Sequence, residues 1–488
     1  MTETRHIQLP APVRDIDWRR PFFLGIGGAG MAPLAALCRE CGAVVAGYDS
    51  GDCDAVWALQ DLGVDVAIGD VEEALCAVQE ATVVVWSTAI PDDHPLLAVA
   101  REAGVPLAHR SDLLAVLMED KVAVAVAGTH GKTTTSAMLS RVLWEAGGDP
   151  SHVIGGDVGV PLSGARAGSG VFVAEADESD GSFTRYSPRV GVVLNVDNDH
   201  PEAYPELADA VEAFTRFALS IAEGGTLVCS ADDDGARSVA SAVATRRAGL
   251  RVVTVGEAED ADWRILGIDL SRDGMSSRVC VRTPEQVTYA FEVNMPGRHN
   301  GHNAAVALAA GAVLGFDTEH LAPGLEEFDG VDGRLGPLGD VLGVRSLSSY
   351  AHHPTAVTAD ITAAREVAGP DGRVVLVFQP SGYARVALME VEFARALAGA
   401  DQVLLLEIRD LVLPEPLFGV CSEQLAGAVR SRYGHVACPV GGVERTAGRV
   451  AAVLRPGDVL LAMGPGGEPA EVVRQAMNIA LGSRLRSV

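Results

Sequence analysis

The residues best equipped for chemistry in this chain form a short run, Ala127 to Ser136, reading AGTHGKTTTS. A glycine-rich turn ends there in Gly131-Lys132-Thr133-Thr134, between the apolar run Val122 to Val126 and an amphipathic stretch that begins at Thr134. In the order strand, turn, helix, the backbone N–H groups of Gly128, Thr129, His130 and Gly131, the positive helix end and one ammonium converge on a polyphosphate. A threonine hydroxyl can hold Mg²⁺ beside it. The only lysines are Lys121 and Lys132, and one is kept where a compact charge suits a phosphate better than the planar fork of arginine. The spacing departs from the strict phosphate-loop pattern, because Val126 stands where the first glycine is expected.

Three other groups carry chemical potential. Gly25-Ile26-Gly27-Gly28-Ala29-Gly30 satisfies G-x-G-x-x-G between a strand and a helix, with Asp49 ending the next apolar run, where a ribose-binding acid belongs. Alone it reads as NAD binding and an oxidoreductase, but a nucleotide diphosphate-sugar suits such a turn equally well. Glu175 opens Glu175-Ala176-Asp177-Glu178-Ser179-Asp180 at the end of an apolar strand and is placed to hold Mg²⁺, while the acids after it are equally consistent with a solvated loop. His200 closes Asn195-Val196-Asp197-Asn198-Asp199-His200 after the following strand, and its company makes it a second candidate metal ligand. Asn300 and Asn303, three apart at the start of an Ala-rich helix, can offer paired amides to a purine edge; an N-cap and a surface histidine explain the same residues.

Positioning these groups requires repeated strand and helix units. Apolar runs alternate with helical patterns: Phe22 to Gly25, Met31 to Cys41, Val44 to Gly47 and Val83 to Trp86, then a second cycle from Lys121 and a third from Arg334. Residues 260 to 293 alternate like antiparallel strands, and Pro296-Gly297 breaks them before the helix that runs from Asn303 to Val313. The expected fold is α/β in three domains: Rossmann-like over 1–118, a phosphate-loop ATPase-like, mostly parallel sheet over 119–333, and Rossmann-like again over 334–488. The 488 residues carry a formal charge of −27, which repels nucleic acid over most of the surface. No apolar run approaches the roughly 20 residues of a membrane span, and the N-terminus lacks a signal-peptide core, so a cytoplasmic protein is expected. The eight scattered cysteines are expected to be reduced and buried, with Cys38 and Cys41 packing a helix rather than binding metal.

Taken together, GTHGKTTT, EADESD, the strand ending in DNDH and PGRHNGHNAA, in this order after GIGGAGM, resemble the Mur ligases of peptidoglycan synthesis. Ser87-Thr88-Ala89-Ile90, His109-Arg110-Ser111, Tyr350-Ala351-His352-His353-Pro354-Thr355 and Phe378-Gln379-Pro380 extend the likeness over nearly the whole chain. The resemblance implies an N-terminal domain binding a uridine nucleotide-sugar through Gly25, Gly27, Gly28, Ala29, Gly30, Asp49, Ser87, Thr88 and Ala89. It implies ATP on Gly128 to Thr134, Asn300 and Asn303, Mg²⁺ on Thr133, Glu175 and His200, and catalytic work for Lys132, His200, Arg334, His353 and Arg385. The implied reaction joins an amino acid, by default L-alanine, to the carboxylate of UDP-N-acetylmuramate or a similar acid through an acyl phosphate. The implied protein acts on small molecules, without nucleic acid or membrane, as a monomer or homodimer. Many family members use a carbamylated lysine; no lysine is left for that role here, which agrees with the alanine-adding branch.

The third domain departs from the pattern. Gly333-Arg334 keeps one of two expected arginines, Ser349 stands where an aspartate precedes the tyrosine, and Ser381-Gly382 replaces a histidine and its neighbour, leaving Arg385. Serine supplies no charge for a metal or an ammonium, so Ser349→Asp is expected to raise turnover if the missing carboxylate limits it. The departures keep two alternatives in view: a diverged ligase for a different amine or carboxylate, and a non-catalytic nucleotide-binding homologue.

Overall fold

Continuous apolar runs become the interior strands of three sheets, because a parallel strand buried on both faces has no reason to alternate. The computed structural model describes residues 13–156, 164–201, 203–410, 419–434, 436–439 and 441–485; the first part of the N-terminal segment read above for a signal peptide lies outside them. The chain divides into two compact units, Met1–Ile265 with Val281–Thr288 and Asn303–Glu327, and Leu266–Cys280 with Tyr289–His302 and Phe328–Val488.

The first sheet contains β1 (Pro21–Leu24), β2 (Ala46–Asp49), β3 (Asp65–Ile68), β4 (Val83–Trp86) and β5 (Leu107–His109). All its pairings are parallel, in the order β3-β2-β1-β4-β5. The order reverses between β1 and β4, and the glycine turn follows β1, which is where an open α/β sheet leaves a crevice for ligands. Strand β2 starts at Ala46, not Val44: Val44 is two-thirds exposed and belongs to the connection from the preceding helix.

The second sheet comprises β6 (Ala123–Ala127), β7 (Ser151–Val153), β8 (Ala165–Arg166), β9 (Phe172–Glu175), β10 (Val190–Val193), β11 (Thr226–Ser230), β12 (Arg251–Gly256), β13 (Trp263–Leu270), β14 (Ser277–Arg282) and β15 (Thr288–Val293). Its order, β15-β14-β13-β12-β11-β10-β6-β9-β7-β8, puts β6 between β10 and β9, both parallel to it. The loops after these three strands therefore open on one edge. Beneath them Phe183 packs on Phe214 and Phe217 at centroid distances of 5.2 Å, and the same buried cluster takes in Phe23, Val85, Ala125 and Phe172.

The third sheet holds β16 (Arg334–Val341), β17 (Val344–Ser349), β18 (Val374–Phe378), β19 (Gln402–Leu405), β20 (Val436–Pro439) and β21 (Val459–Met463), in the order β16-β17-β21-β18-β19-β20. Only β16 runs antiparallel. The three α/β sheets match the fold expected from the sequence.

Two expectations need correction. The Ala-rich helix spans Arg298–Val313, so Asn300 and Asn303 both lie inside it. The cysteines are free but mostly not buried: Cys38 and Cys229 are, whereas Cys41, Cys53, Cys76 and Cys421 are exposed. Cys53 and Cys421 are N-caps and Cys41 a C-cap, positions at helix ends outside the apolar stripe that the surrounding pattern suggested.

Candidate active site

The phosphate loop is shaped by two glycines. Gly128 has φ of 148° and Gly131, the N-cap of helix Lys132–Glu145, has φ of 85°. A Cβ on Gly131 would meet Asn303 Oδ1 at 2.8 Å, so Asn303 lies against the loop. The loop is tied to the segment after β10: His130 N–H donates to Asn195 Oδ1 at 2.8 Å, Asn195 Nδ2 donates back to His130 O at 3.0 Å, and Asp197 N–H donates to Thr129 Oγ1 at 2.9 Å. Thr133 and Thr134 are buried in the first turn of this helix, the end whose free N–H groups suit an anion.

Lys132 Nζ donates to Gly128 O at 2.8 Å and to Glu178 Oε2 at 2.7 Å. Burial disfavours its charge, yet Glu178, Asp177 and Glu175 together hold the ammonium above its ordinary pKa. It is a fixed cation at neutral pH. Burial likewise pushes the Asp177 carboxyl up, and Arg110, Lys132 and His200 overcome that and hold it well below the usual range. These couplings gather Lys132, Glu175, Asp177, Glu178, Arg110 and His200 on the edge formed after β6, β9 and β10. Glu175 ends β9 and accepts the Gly155 N–H at 2.9 Å. His200 Nε2 lies 3.9 Å from Asp199 Oδ2. Thr133, Glu175 and His200 carry a hydroxyl, a carboxylate and an imidazole, and the first two are oxygen donors of the kind a hard divalent cation takes.

At the first sheet, Gly25 and Ile26 donate to Tyr48 O, and Gly27 N–H donates to Asp49 Oδ2 at 2.8 Å. Asp49 thus braces the turn that Gly25, Gly27, Gly28, Ala29 and Gly30 make before helix Ala32–Glu40. A Cβ on Gly30 would lie 3.1 Å from Arg110 Nη1. The other side of the same guanidinium reaches Asp177 at 2.8 Å and Asp180 at 3.6 Å. Thr88, next to Ser87 and Ala89 after β4, donates to Asp180 at 3.3 Å, and His109 Nε2 lies 3.5 Å from the same carboxylate. Arg110 therefore links the glycine turn to the acids beside the phosphate loop. Burial, with Arg110 and Arg185 nearby, depresses His109 to about 4 despite Asp180, so it is neutral at physiological pH.

Sequence reasoning gave no individual role to Glu178, Asp180 or Arg110. The acids of EADESD are interchangeable on paper, and only the path after β9 aims Glu178 at Lys132 and Asp180 at Arg110. The pairing of Arg110 was signalled by nothing local.

In the second unit, Asn300 is buried and donates to Pro296 O at 2.8 Å. The Arg334 guanidinium stacks 4.9 Å from the Tyr350 ring centre. His353 is the buried N-cap of helix Pro354–Ala368, its Nδ1 facing the Thr355 N–H at 3.4 Å. Arg385 lies on helix Tyr383–Leu388, with Nη1 3.4 Å from Ser381 O. Ser381 bridges to Arg409, and Gly382, at φ of 77°, precedes the helix in a conformation suited to glycine. Ser349 ends β17 with its hydroxyl on Asp360.

Comparison with known proteins places these motifs in a lineage. The Mur ligase family catalytic domain matches residues 22–122, the Mur ligase middle domain 126–311, and the Mur ligase glutamate ligase domain 333–466. A UDP-N-acetylmuramate–L-alanine ligase of Streptomyces coelicolor is 45% identical over 92% of this chain and 95% of its own. One from Acidothermus cellulolyticus is 41% identical over 94% of each. Among solved structures, the UDP-N-acetylmuramate-alanine ligase of Thermotoga maritima superposes with a TM-score of 0.76 at 24% identity, over 96% of this chain and 100% of that one. With three consecutive domain matches and full-length relatives above 40% identity, the chain belongs to the Mur ligase family.

Proposed function

We propose that this chain is an ADP-forming ligase that joins L-alanine to the lactyl carboxylate of UDP-N-acetylmuramate, an early step of peptidoglycan precursor synthesis in the cytoplasm. The observation that carries the reading is the 45% identity to the Streptomyces coelicolor ligase across 92% of the chain, and the phosphate-loop edge has the groups this chemistry needs. Residues 1–118 bind the nucleotide-sugar, 119–333 bind ATP, and 334–488 bring the amino acid, in a monomer or homodimer. Among the described residues no helix is long and apolar enough to cross a membrane.

ATP lies on Gly128 to Thr134, with Asn303, which lies against the loop, toward the base. Thr133, Glu175 and His200 would hold Mg²⁺, which supplies charge neutralisation of the phosphates when bound. Lys132 turns its ammonium from Glu178 to the γ-phosphate, and Arg110 balances the acids beside the sugar's path. The sugar carboxylate attacks the γ-phosphorus, the bond from the γ-phosphorus to the bridging oxygen breaks and ADP leaves, giving an acyl phosphate. The neutral amine then attacks the acyl carbon, phosphate leaves and the nitrogen gives up a proton to yield the amide. Positioning and fixed charge are most of this catalysis. Arg334, His353 and Arg385 serve the later stage from the third domain.

A second reading, a ligase for another amine, is favoured by Ser381-Gly382 beside Arg385. The test is ATP-dependent phosphate release over pairs of carboxylates and amines. Release requiring both UDP-N-acetylmuramate and L-alanine supports the proposal, and release only with another amine supports the second reading. ATP binding without release for any pair overturns both.

A further inference from the structure

The family pattern leads one to expect a carboxylate at residue 349, and the structure puts one beside it. Ser349 is 3% exposed at the end of β17, its carbonyl receiving the Gly464 N–H at 2.9 Å. Its Oγ accepts the Ala351 N–H at 2.9 Å and donates its own proton to Asp360 Oδ2. Asp360 lies on helix Pro354–Ala368, two turns after the His353 cap, with a side chain only 13% exposed. Its other oxygen, Oδ1, is 3.7 Å from His299 Nε2 in the first turn of helix Arg298–Val313. Close packing keeps these parts together: a Cβ on Gly297 would lie 2.9 Å from the Ala363 Cβ.

We infer that Asp360 is the positioning carboxylate of this sheet edge, carrying through Ser349 the negative charge that residue 349 no longer carries itself. The inference rests on the ligase reading and deepens it. Strands β17, β18 and β21 are parallel, and their C-terminal ends form the edge at which α/β sheets meet ligands. Asp360 acts at that edge through two neighbours. By way of Ser349 it sets the turn that delivers His352 and His353 into the helix; by way of His299 it sets the turn that carries Asn300.

The expectation for Ser349→Asp is thereby reversed. An aspartate at 349 sets a second carboxylate against the first, and like charges in contact repel. The experiment is a four-member cycle: the unmodified protein, Ser349→Asp, Asp360→Ser, and both together. Each is assayed for kcat and for KM toward ATP and L-alanine, with thermal unfolding followed in parallel. Each single variant is expected to lose about 30-fold in kcat/KM, and the double variant to return to within about fivefold, because it restores one carboxylate with one hydroxyl partner. Rescue by moving the charge is an outcome that a purely structural role for Asp360 does not produce. Ser349→Asp as active as the unmodified protein, or a double variant no better than the singles, overturns the inference alone. An unmodified protein inert toward every substrate pair overturns the ligase reading, and the inference falls with it.

Discussion

Replacing Arg110 with methionine removes a side chain that lies against the glycine turn and pairs with the acids of the phosphate-loop edge. Methionine keeps much of the apolar stem, so the change isolates the charge. Asp180 is 3% exposed and Asp177 36%, so the two losses are unequal. A buried carboxylate stripped of its partner costs about 3–5 kcal/mol, while solvent reduces the Asp177 share to about 1 kcal/mol or less. His109 makes the cost depend on pH. In the unmodified protein it is held at about 4, below its ordinary 6.5. The unfolded chain therefore takes up a proton first: stability is full above pH 6.5 and falls by about 3 kcal/mol as pH drops through 4. Without Arg110, Asp180 keeps the Thr88 hydroxyl and the Ser182 N–H but loses its arginine, and it raises the pKa of His109, so that protonated His109 replaces the lost cation in acid. The variant should be about 4 kcal/mol less stable at pH 8 and only about 2 kcal/mol less stable at pH 5.5. Urea unfolding at several pH values measures both. A difference below about 1 kcal/mol at pH 8, or one that does not shrink in acid, refutes the argument.

Three further outcomes follow from the geometry. Lys132→Ala should lower ATP-dependent phosphate release at least about 10³-fold and destabilise the protein by leaving Glu178, 4% exposed, without its cation; Lys132→Ala with Glu178→Gln should recover the stability in a melting experiment but none of the turnover. Gly131→Ala should cost about 2 kcal/mol and weaken nucleotide binding in a titration, since its φ of 85° is strained for alanine and the new methyl meets Asn303 Oδ1 at 2.8 Å. Arg373, bidentate on buried Asp458 at 2.9 and 2.6 Å, is a structural control. Arg373→Ala should lower unfolding stability by about 3 kcal/mol while the KM for ATP and for the amino acid stays unchanged in steady-state kinetics.

Much of the site was legible because it is local. Strand, glycine turn, lysine and helix follow one another within a few residues at Ala127 to Ser136, and chain connectivity alone brings their groups to one anion. Glu175 was readable for a related reason: it ends an apolar strand, and parallel strands deliver their ends to one edge. The sequence also reads as a strand running on to His200, but β10 stops at Val193, and the loop after it decides where His200 lies. What escaped was selection among equals and pairing at a distance. Glu178 and Asp180 look alike in sequence, and the path after β9 decides which meets Lys132 and which meets Arg110. Asp360 sits eleven positions beyond Ser349 on a helix whose face only packing determines. The cysteines misled because a thiol inside an apolar pattern can still fall on a helix cap, where the main chain turns toward solvent.

The contact between Lys132 and Glu178 has a consequence for what the loop admits. A lysine already bonded at 2.7 Å is no idle attractor of anions. Any arriving ion must out-compete a carboxylate tethered to the same fold, at no loss of translational freedom to that carboxylate. A lone inorganic phosphate has few contacts with which to do so, whereas a nucleoside triphosphate brings a base, a sugar and three linked phosphates to the exchange. Under the proposed ligation, the acid beside the lysine sets a threshold that the reaction's own phosphate product meets with fewer contacts than the next nucleotide brings.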